Sequence, residues 1–424
     1  MHFLNLRLGG MSRIFIAFLM LNCPPVLSAP ATPLDVHEDH IITNAQISLK
    51  DVLEQTLIHR PEQYELDALN NRAQAQYLHA NSTFPTAPAA TLRHQNDAVG
   101  SNRGEREWET EFEMPVWLSG QRAARLTLAK DVESSIATSR QSLMLQLAGA
   151  LREAVWDIRM SQESESVYES RLKIAQKLEQ DVAVRYRAGE LAKTDLMLAQ
   201  NETLQAESAY VRAQAEVKYA TDRYIALTGI NEIPANLDET LSELNVLSDQ
   251  HPLLQEANSR IEIAKDEREV VGVERREPPQ FILSARSQRG PNDNFYNDGI
   301  GFKVRIPFAS EARNAPLLAS AESNVAGAMT ELGKLKLTME TALHKAEHNL
   351  LVTKKELELT TKQNQITQEN VRLARKAFKL GETDLVSLLR TESLAFEVER
   401  ALASKKIQLQ WDIARYNQAV GVLP

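Results

Sequence analysis

The chain has 424 residues, enough for two or three ordinary domains, with 48 basic residues against 57 acidic ones. Its net charge of −9 argues against a nucleic-acid partner, since such a partner needs a basic surface. Glycine and proline number only 16 each. Together with long stretches rich in Ala, Leu, Glu, Gln, Lys and Arg, this composition predicts long helices and few turns.

The first 31 residues have the pattern of a secretory signal peptide. Arg13 precedes the apolar run from Ile14 to Leu21, and small residues up to Ala31 provide a cleavage site. Cys23, the only cysteine, lies in this segment, so we expect a mature chain without thiols. Lipid attachment at Cys23 is the weaker alternative, because no small residue precedes it. No later window has the ~20 apolar residues of a spanning helix, so only strands are left to cross a membrane.

Strict alternation over residues 105–117, EREWETEFEMPVW, predicts a β-strand with one acidic and one apolar face. From this strand alone, a soluble sandwich with the apolar row packed on a second sheet is favoured. The alternative is a transmembrane barrel, in which the apolar row faces lipid and the acids line a wet lumen. The acids are Glu107, Glu109, Glu111 and Glu113, and the residues between them are Trp108, Thr110, Phe112 and Met114.

An internal repeat organises the rest of the chain. The segments HRPE at 59–62 and HPLL at 251–254 open two similar halves, and three pairs of landmarks share a separation of 192 residues. The chain is therefore predicted to be a tandem duplication of residues 32–230 and 251–424, joined by a linker at 231–250. The landmark pairs are Pro115 and Pro307, Gly189 and Gly381, and Gly229 and Gly421.

The second half repeats the opening strand with its charge reversed. Phe302, Val304 and Ile306 keep the apolar row, whereas Lys303 and Arg305 replace acids on the other face. A water-filled lumen tolerates such a change and lipid does not. Earlier strands near 90–95 and 281–288 complete one hairpin in each half, within about 88–116 and 280–308.

Helices fill the rest of each half. The 74 residues from Pro115 to Gly189 would span roughly 110 Å as a helix, and the same spacing recurs before Gly381. Apolar residues recur every seven positions near the C-terminus, as in coiled coils. We expect tunnel helices at about 119–229 and 311–421, and shorter helices near 47–80 and 252–275. The linker, with Pro234, is expected at the waist of a long helical barrel.

At this level the chain resembles a known family. The turns YRAGE and FKLGE, the helix ends RYIALTGI and RYNQAVGV, the repeat and the signal peptide are similar to those of TolC-type outer-membrane efflux proteins, over essentially the whole mature chain. The segments ISLKDVLEQTLIHRPEQ and VWLSGQRAAR are most similar to its heavy-metal, CzcC-like branch.

The resemblance implies a mainly α fold with a β-barrel portion. Three chains would form one outer-membrane barrel, four strands from each, continuous with a long periplasmic α-helical barrel. Such a homotrimer is a passive channel without cofactor or catalysis. It works with a periplasmic adaptor (a membrane fusion protein) and an inner-membrane pump. Divalent heavy-metal cations are the first expectation for its cargo, and organic solutes or drugs are the alternative.

The alternation assigns the strand residues to two environments. We expect the apolar row to face lipid and the charged row to face the lumen, with the charges of the two halves close together. The lipid-facing residues are Trp108, Phe112, Met114, Phe302, Val304 and Ile306. The lumen residues are Glu109, Glu111, Glu113, Lys303 and Arg305.

The resemblance also implies a periplasmic gate just past the turns at Gly189 and Gly381. A latch acid is expected six residues after the first glycine, where Asp195 stands. Constriction residues are expected six and nine after the second glycine, where Ser387 and Arg390 depart from the acidic pattern.

The usual partners of the latch also differ, since Thr383 and Phe378 occupy their positions. Asp384 and Glu382 would supply the negative charge if the second turn were shifted, as the repeated TDL at 194–196 and 383–385 suggests. Ordinary solvated turn residues or adaptor contacts are the alternative interpretation.

Other functional classes are less well supported. HKAEH at 344–348 matches a zinc-peptidase pattern, but no third ligand is suggested and the run lies in a charged amphipathic helix, so we expect no enzyme. HEDH at 37–40 fits a flexible polar terminus better than a metal site. A periplasmic coiled-coil adaptor would explain the helices but not two amphipathic hairpins.

Overall fold

The computed structural model describes residues 41–424. The predicted signal peptide, Cys23 and the HEDH segment lie outside the described residues. In chain order the elements are β1 (Ile42–Asn44), α1 (Leu49–His59), α2 (Gln63–Ala80), β2 (Ala89–Asn96), β3 (Arg106–Pro115), α3 (Gln121–Arg187), α4 (Lys193–Thr228), β4 (Glu232–Pro234), α5 (Pro252–Val273), β5 (Gln280–Arg289), β6 (Asn297–Arg305), α6 (Glu311–Lys379) and α7 (Leu385–Ala419).

Two very long helices dominate the fold. α3 has 67 residues and α6 has 69, each a rod of roughly 100 Å. Each returns through a short turn into a helix about half as long, α4 with 36 residues and α7 with 35. Each half has a long and a short helix where the sequence predicts them, and their place in a tunnel stays a prediction.

Four strands form one antiparallel sheet in the order β2, β3, β5, β6. β2–β3 and β5–β6 are the two predicted hairpins, and β3 pairs with β5 over ten residues to join the two halves. Within the chain, β2 and β6 are the sheet edges.

The predicted helix near 47–80 is in fact two helices. α1 ends at His59, and Arg60 takes an extended conformation with φ −87° and ψ 139°. The cause is Pro61, because the proline ring disfavours helical geometry in the residue before it. α2 then begins at Gln63.

The linker at 231–250 also differs from a plain break, because β4 lies in it and pairs in parallel with β1. The largest buried cluster lies beside this pair. It packs α1 and the middle of α3 against the end of α4, with Leu53, Leu151 and Tyr224 almost fully buried.

An ionic network fastens the linker to α3 and α7; we call it the Arg152 network. The guanidinium of Arg152, 1% exposed, donates to both carboxylate oxygens of Glu239 at 2.7 and 2.6 Å. It also donates to Gln418 Oε1 at 2.6 Å and to the carbonyl oxygen of Val422 at 3.0 Å. Asn417 donates its amide to Glu239 at 3.0 Å.

His251 forms a second joint in this region, between α5 and the end of α7. It is 3% exposed, and its Nδ1 caps α5 by accepting from the Leu253 N–H at 3.2 Å. The ring hydrogen-bonds the backbone of Ala419, and its burial lowers the pKa of the imidazole. Gly421, with φ +85°, packs so closely that an added Cβ would lie 2.5 Å from the ring.

No helix among residues 41–424 is long and apolar enough to span a membrane.

Candidate functional sites in the sheet and the helical turns

The sheet has one charged face and one apolar face. Antiparallel register places Glu111 between Thr91 and Ser284, and Phe112 between Ala90 and Leu283. Because side chains alternate along each strand, the residues of one face stay together across all four strands. The predicted two-row pattern of 105–117 therefore extends over the whole sheet.

Three of the four acids on the charged face pair with bases on neighbouring strands. Three ion pairs form, Arg286–Glu107 at 3.0 Å, Lys303–Glu111 at 3.1 Å and Arg93–Glu109 at 3.6 Å. The expected proximity of the two halves is found for Lys303 and Glu111. It is not found for Arg305, which lies opposite Gln280 and has no ion pair among the described residues, whereas Glu113 lies opposite Ile282.

On the apolar face the large side chains are exposed, and on the charged face the bases Arg93, Arg286 and Lys303 are exposed at 57%, 48% and 59%. The side chains of Glu107, Glu109 and Glu111 are only 15%, 24% and 18% exposed. The apolar residues reach higher values: Trp108 45%, Phe112 54%, Met114 36%, Phe302 68%, Val304 42% and Ile306 56%.

These exposures argue against the soluble sandwich. The only other sheet in residues 41–424 is the three-residue pair β1–β4, so no second sheet covers the apolar face. Within the face, His94 stacks on Trp108 with ring centroids 4.0 Å apart, and Phe281 stacks on Phe302 at 5.9 Å. These stacks pack neighbouring rings of the same face together, and Trp108 and Phe302 remain 45% and 68% exposed.

The two helical turns have the same geometry. Gly189 and Gly381 have φ +78° and +74°, a region that favours glycine. In the first turn Glu190 N–H donates to the carbonyl of Arg185 at 2.9 Å, and in the second Glu382 N–H donates to Ala377, also at 2.9 Å. Both are Schellman caps, which satisfy carbonyls at the end of a helix. Glycine is needed for the backbone angle, since an added Cβ would meet nothing within 4 Å at either site.

The repeated TDL is misleading as an alignment of the two turns. α4 begins at Lys193 and α7 at Leu385, each four residues after its glycine. Asp195 therefore lies inside the first turn of α4, where its carboxylate accepts from the Ala192 N–H at 3.1 Å. Asp384 is the N-cap of α7 and accepts from the Ser387 N–H at 2.9 Å. Hydrogen bonds from the side chain and the backbone of Ser387 lower the pKa of the Asp384 carboxyl.

A small apolar cluster joins the two turns. It contains Val182, Phe378, Leu385 and Leu388, from both hairpins. Arg185 closes it by donating to the carbonyl of Phe378 at 3.1 Å and lying 4.9 Å above that ring. The position that the resemblance gives to a latch partner is thus a buried core residue, with 5% exposure.

The other gate candidates lie on the surface beside this cluster. Ser387 and Arg390 are exposed, whereas Thr383 is half-buried between Glu382 and the N-cap. Among the described residues of one chain, Asp195 forms no hydrogen bond or ion pair with these residues. Their role as a gate stays a prediction.

The helices also carry exposed apolar seams. On α6 they recur every seven residues at Val352, Leu359, Ile366 and Leu373, and Leu380, the C-cap of the helix, continues the spacing. On α4, Met197, Leu204 and Val211 are 58%, 63% and 58% exposed, at the same spacing.

α4 has a second, buried seam on its opposite side. Ala199, Ala206, Ala213 and Ala220 are each 5% exposed or less. Since each of the first three lies two residues, or about 200°, from an exposed apolar residue, α4 has apolar seams on opposite faces.

The zinc-peptidase pattern falls on an open helix surface. His344 lies in the middle of α6 with a side chain 79% exposed, and its nearest acid is Glu347 at 3.5 Å. In the described part of the chain, no group of three His, Cys, Asp or Glu side chains is arranged to hold a metal ion.

Sequence reasoning missed the basic residues of the charged face. Arg93 and Arg286 lie in the strands predicted near 90–95 and 281–288, for which the sequence alone gives no pairing register with β3. The same alternation rule applied to TLRHQ and ILSARSQR, with antiparallel pairing to β3, would have placed both beside the acids.

The chain matches no protein-family model and no curated protein. Its fold is shared with solved bacterial structures. The outer membrane protein VceC from Vibrio cholerae has 16% identity and a TM-score of 0.68, over 89% of this chain and 97% of that one. CusC, whose structures concern conformational changes that accompany folding and transmembrane channel formation, has 14% identity and a TM-score of 0.69, over 90% of this chain and 93% of that one. The open outer membrane channel MtrE from Neisseria gonorrhoeae has 16% identity and a TM-score of 0.67, over 88% and 89%.

Proposed function

We propose that this protein is the outer-membrane channel of a tripartite efflux system, with a helical extension into the periplasm. The observation that carries the proposal is the exposed apolar face of the sheet, opposite a charged face on which three of the four acids are paired with bases. In water such a face would be covered. In a barrel the apolar face meets lipid and the charged face lines a wet lumen.

Assembly follows from the same exposed features. One four-stranded sheet leaves β2 and β6 as open edges, and open edges are not tolerated in lipid. A homotrimer closes them by pairing β6 of each chain with β2 of the next. The exposed seams of α4 and α6 then pack between chains, because α4 has an apolar seam on each side and needs two neighbours.

The channel conducts passively. Its lumen surface is built from surface ion pairs and polar strand residues, and the protein uses no cofactor. Energy and selection come from an inner-membrane pump, reached through a periplasmic adaptor that contacts the turns at Gly189 and Gly381. The similarity in fold to the outer membrane channel MtrE supports the channel part of this arrangement.

The proposed cargo is a divalent heavy-metal cation, and this choice rests on the resemblance to the CzcC-like branch. The sheet does not select for it. Per chain, the charged face carries four acids at 107, 109, 111 and 113 and four bases at 93, 286, 303 and 305. Organic solutes or drugs are therefore the alternative cargo of the same channel.

The gate is proposed at the two helical turns, with Asp195 as its latch. Removing its carboxylate in Asp195→Ala frees the Ala192 N–H and loosens the first turn of α4. We expect a higher closed-state conductance in planar bilayers, and no change for Pro234→Ala in the linker. A conductance unaffected by changes at Asp195, Asp384 and Arg390 alike would remove the gate from this end.

The assembly is tested by fractionation. The full chain is expressed in a Gram-negative host, and its outer-membrane fraction is run on gels with and without heating. We expect a heat-dissociable trimer. Leu204→Lys, in the exposed seam of α4, should abolish it, whereas the adjacent exposed control Gln205→Lys should not. A soluble periplasmic monomer would favour the adaptor function instead.

The cargo is tested by deleting the gene in its host. Sensitivity to zinc, cobalt, cadmium and copper is compared with sensitivity to a panel of organic toxicants. Metal sensitivity restored by the wild-type gene would support the cation. Sensitivity confined to organic compounds would assign the channel to them.

A further inference from the structure

Two arginines face each other at the end of the sheet farthest from the helices. Arg106 on β3 and Arg289 on β5 are direct cross-strand partners in the antiparallel register. Both alternate in step with the apolar row, because Arg106 precedes Trp108 by two residues and Arg289 follows Ser287 by two. They therefore lie on the apolar face, and the other arginine and lysine residues of the four strands lie on the charged face.

Like charges placed directly opposite each other destabilise a sheet. The cost is only partly offset inside the chain. Arg289 donates through Nε and Nη2 to the carbonyl oxygen of Gly104, at 3.1 and 2.9 Å, and lies 5.6 Å above the ring of Tyr296. A guanidinium has five N–H donors, and most of those on this pair of arginines have no acceptor among residues 41–424.

Nearby acids do not neutralise the pair. Among residues 41–424, neither Arg106 nor Arg289 takes part in an ion pair within 4 Å. The carboxylate of Asp97 is occupied by its own loop, accepting from Ser101 Oγ at 2.8 Å and from the Gly104 N–H at 3.2 Å. Asp298, on the same face of β6, lies opposite Ser287.

The position of the pair indicates what could approach it. Immediately inward on the same face lie Trp108, stacked on His94, and then the exposed apolar row. Immediately outward are the loops at 97–105 and 290–296. If the apolar row meets hydrocarbon, the pair lies at the depth of the lipid headgroups, and aromatic rings are enriched at that depth.

We propose that Arg106 and Arg289 together bind the phosphate group of an anionic lipid at the outer rim of the barrel. This inference rests on the proposed function, which places the apolar face in lipid. Guanidinium groups bind phosphate through paired, charge-assisted hydrogen bonds. One phosphate between two opposed guanidinium groups would supply the negative charge that the chain itself does not provide.

The test uses the detergent-purified full chain and native mass spectrometry. The probe is phosphatidylglycerol, and phosphatidylcholine, whose headgroup has no net charge, is the matched lipid. Arg106→Gln and Arg289→Gln are compared with Arg286→Gln, which changes an arginine of the same strand β5 on the charged face. Inorganic phosphate is added as a competitor.

We expect the wild-type trimer to retain phosphatidylglycerol in preference to phosphatidylcholine. Either glutamine variant should weaken that binding about tenfold, as expected for the loss of a charge-assisted hydrogen bond. Arg286→Gln should bind as the wild type does. Equimolar inorganic phosphate should not displace the lipid, because it lacks the chains that the apolar row holds.

Three outcomes would overturn the proposal. Equal binding by Arg106→Gln, Arg289→Gln and the wild type would show that the pair is not the site. Equal loss in Arg286→Gln would indicate a general charge effect. Displacement by inorganic phosphate would assign the site to a free anion. A trimer that forms but shows any of these refutes this inference alone, whereas a chain that forms no trimer refutes the proposed function.

Discussion

The charged side chains of the four-stranded sheet and those of the Arg152 network differ in their burial. In the sheet, the ionic side chains and the apolar side chains are both partly exposed. In the network, Arg152 and Glu239 are nearly buried and surrounded by hydrogen-bond partners. The network is stable whatever lies outside the protein. The apolar face of the sheet has no second large sheet packed on it within residues 41–424, so the sheet depends on its surroundings in a way that the network does not.

The largest expected effect is in the Arg152 network. Arg152→Ala leaves the Glu239 carboxylate buried without its bidentate partner. Breaking a buried ion pair in this way typically costs about 3–5 kcal/mol. We expect a loss of that size in the free energy of unfolding, measured by denaturant titration of the detergent-solubilised protein.

The matched control is Arg372→Ala, which breaks an exposed pair with Glu369 on α6. Exposed pairs contribute at most about 1 kcal/mol. If the two variants lost equal stability, the linker and the end of α7 would not depend on Arg152, and the contrast with the sheet would fail.

The next effect is at the apolar face of the sheet. An arginine at a lipid-facing midplane position costs about 2–4 kcal/mol, so Phe112→Arg should reduce the amount of heat-dissociable trimer. Glu111→Arg, on the adjacent residue and the opposite face, should spare it. Equal loss of trimer in both variants would contradict the assignment of the two faces.

A smaller effect is expected from pH at His251. Burial lowers the pKa of this imidazole from its ordinary value of 6.5, so the unfolded chain binds the proton more readily than the folded one. The neutral ring supports folding fully above pH 6.5, and that contribution is lost as pH falls below 6.5 towards the lowered pKa. The denaturation midpoint should therefore fall on acidification across this range.

His251→Asn keeps an N-cap acceptor for α5 but does not titrate. It should flatten this part of the pH profile, whereas His344→Gln, on the exposed surface of α6, should leave the profile as in the wild type. A profile that is the same in the wild type and His251→Asn would exclude His251 as its source.

Local patterns were sufficient for the elements and the two faces of the sheet. Alternation predicted β3, and glycines at a common offset predicted both helical turns, because these features depend on neighbouring residues. The surroundings of the apolar face could not be read from β3 alone, since a sandwich and a barrel use the same alternation. The exposure of the whole sheet was needed to decide.

The remaining misses depend on distant contacts or on helix geometry. Arg152 binds Glu239 and Gln418, which lie 87 and 266 positions away, and no local sequence pattern predicts such distant partners. The TDL repeat matched letters, but the glycines set where α4 and α7 begin, so Asp195 and Asp384 occupy different positions. Pro61 was visible in the sequence, and its effect on Arg60 could have divided the N-terminal helix.

The smallest effect on stability is expected where the sheet is charged, and it should appear in ion selectivity. Lys303→Glu with Arg305→Glu breaks the exposed pair with Glu111, worth at most about 1 kcal/mol, so the trimer should persist. The charged face would then carry an excess of acids in place of a balance. If this face lines the lumen, the reversal potential of reconstituted channels in a salt gradient should shift towards cation preference. Lys334→Glu, on the exposed surface of α6, is the control for a change of charge outside the sheet. An unchanged reversal potential in the double variant, or an equal shift in the control, would place the charged face away from the conducting path.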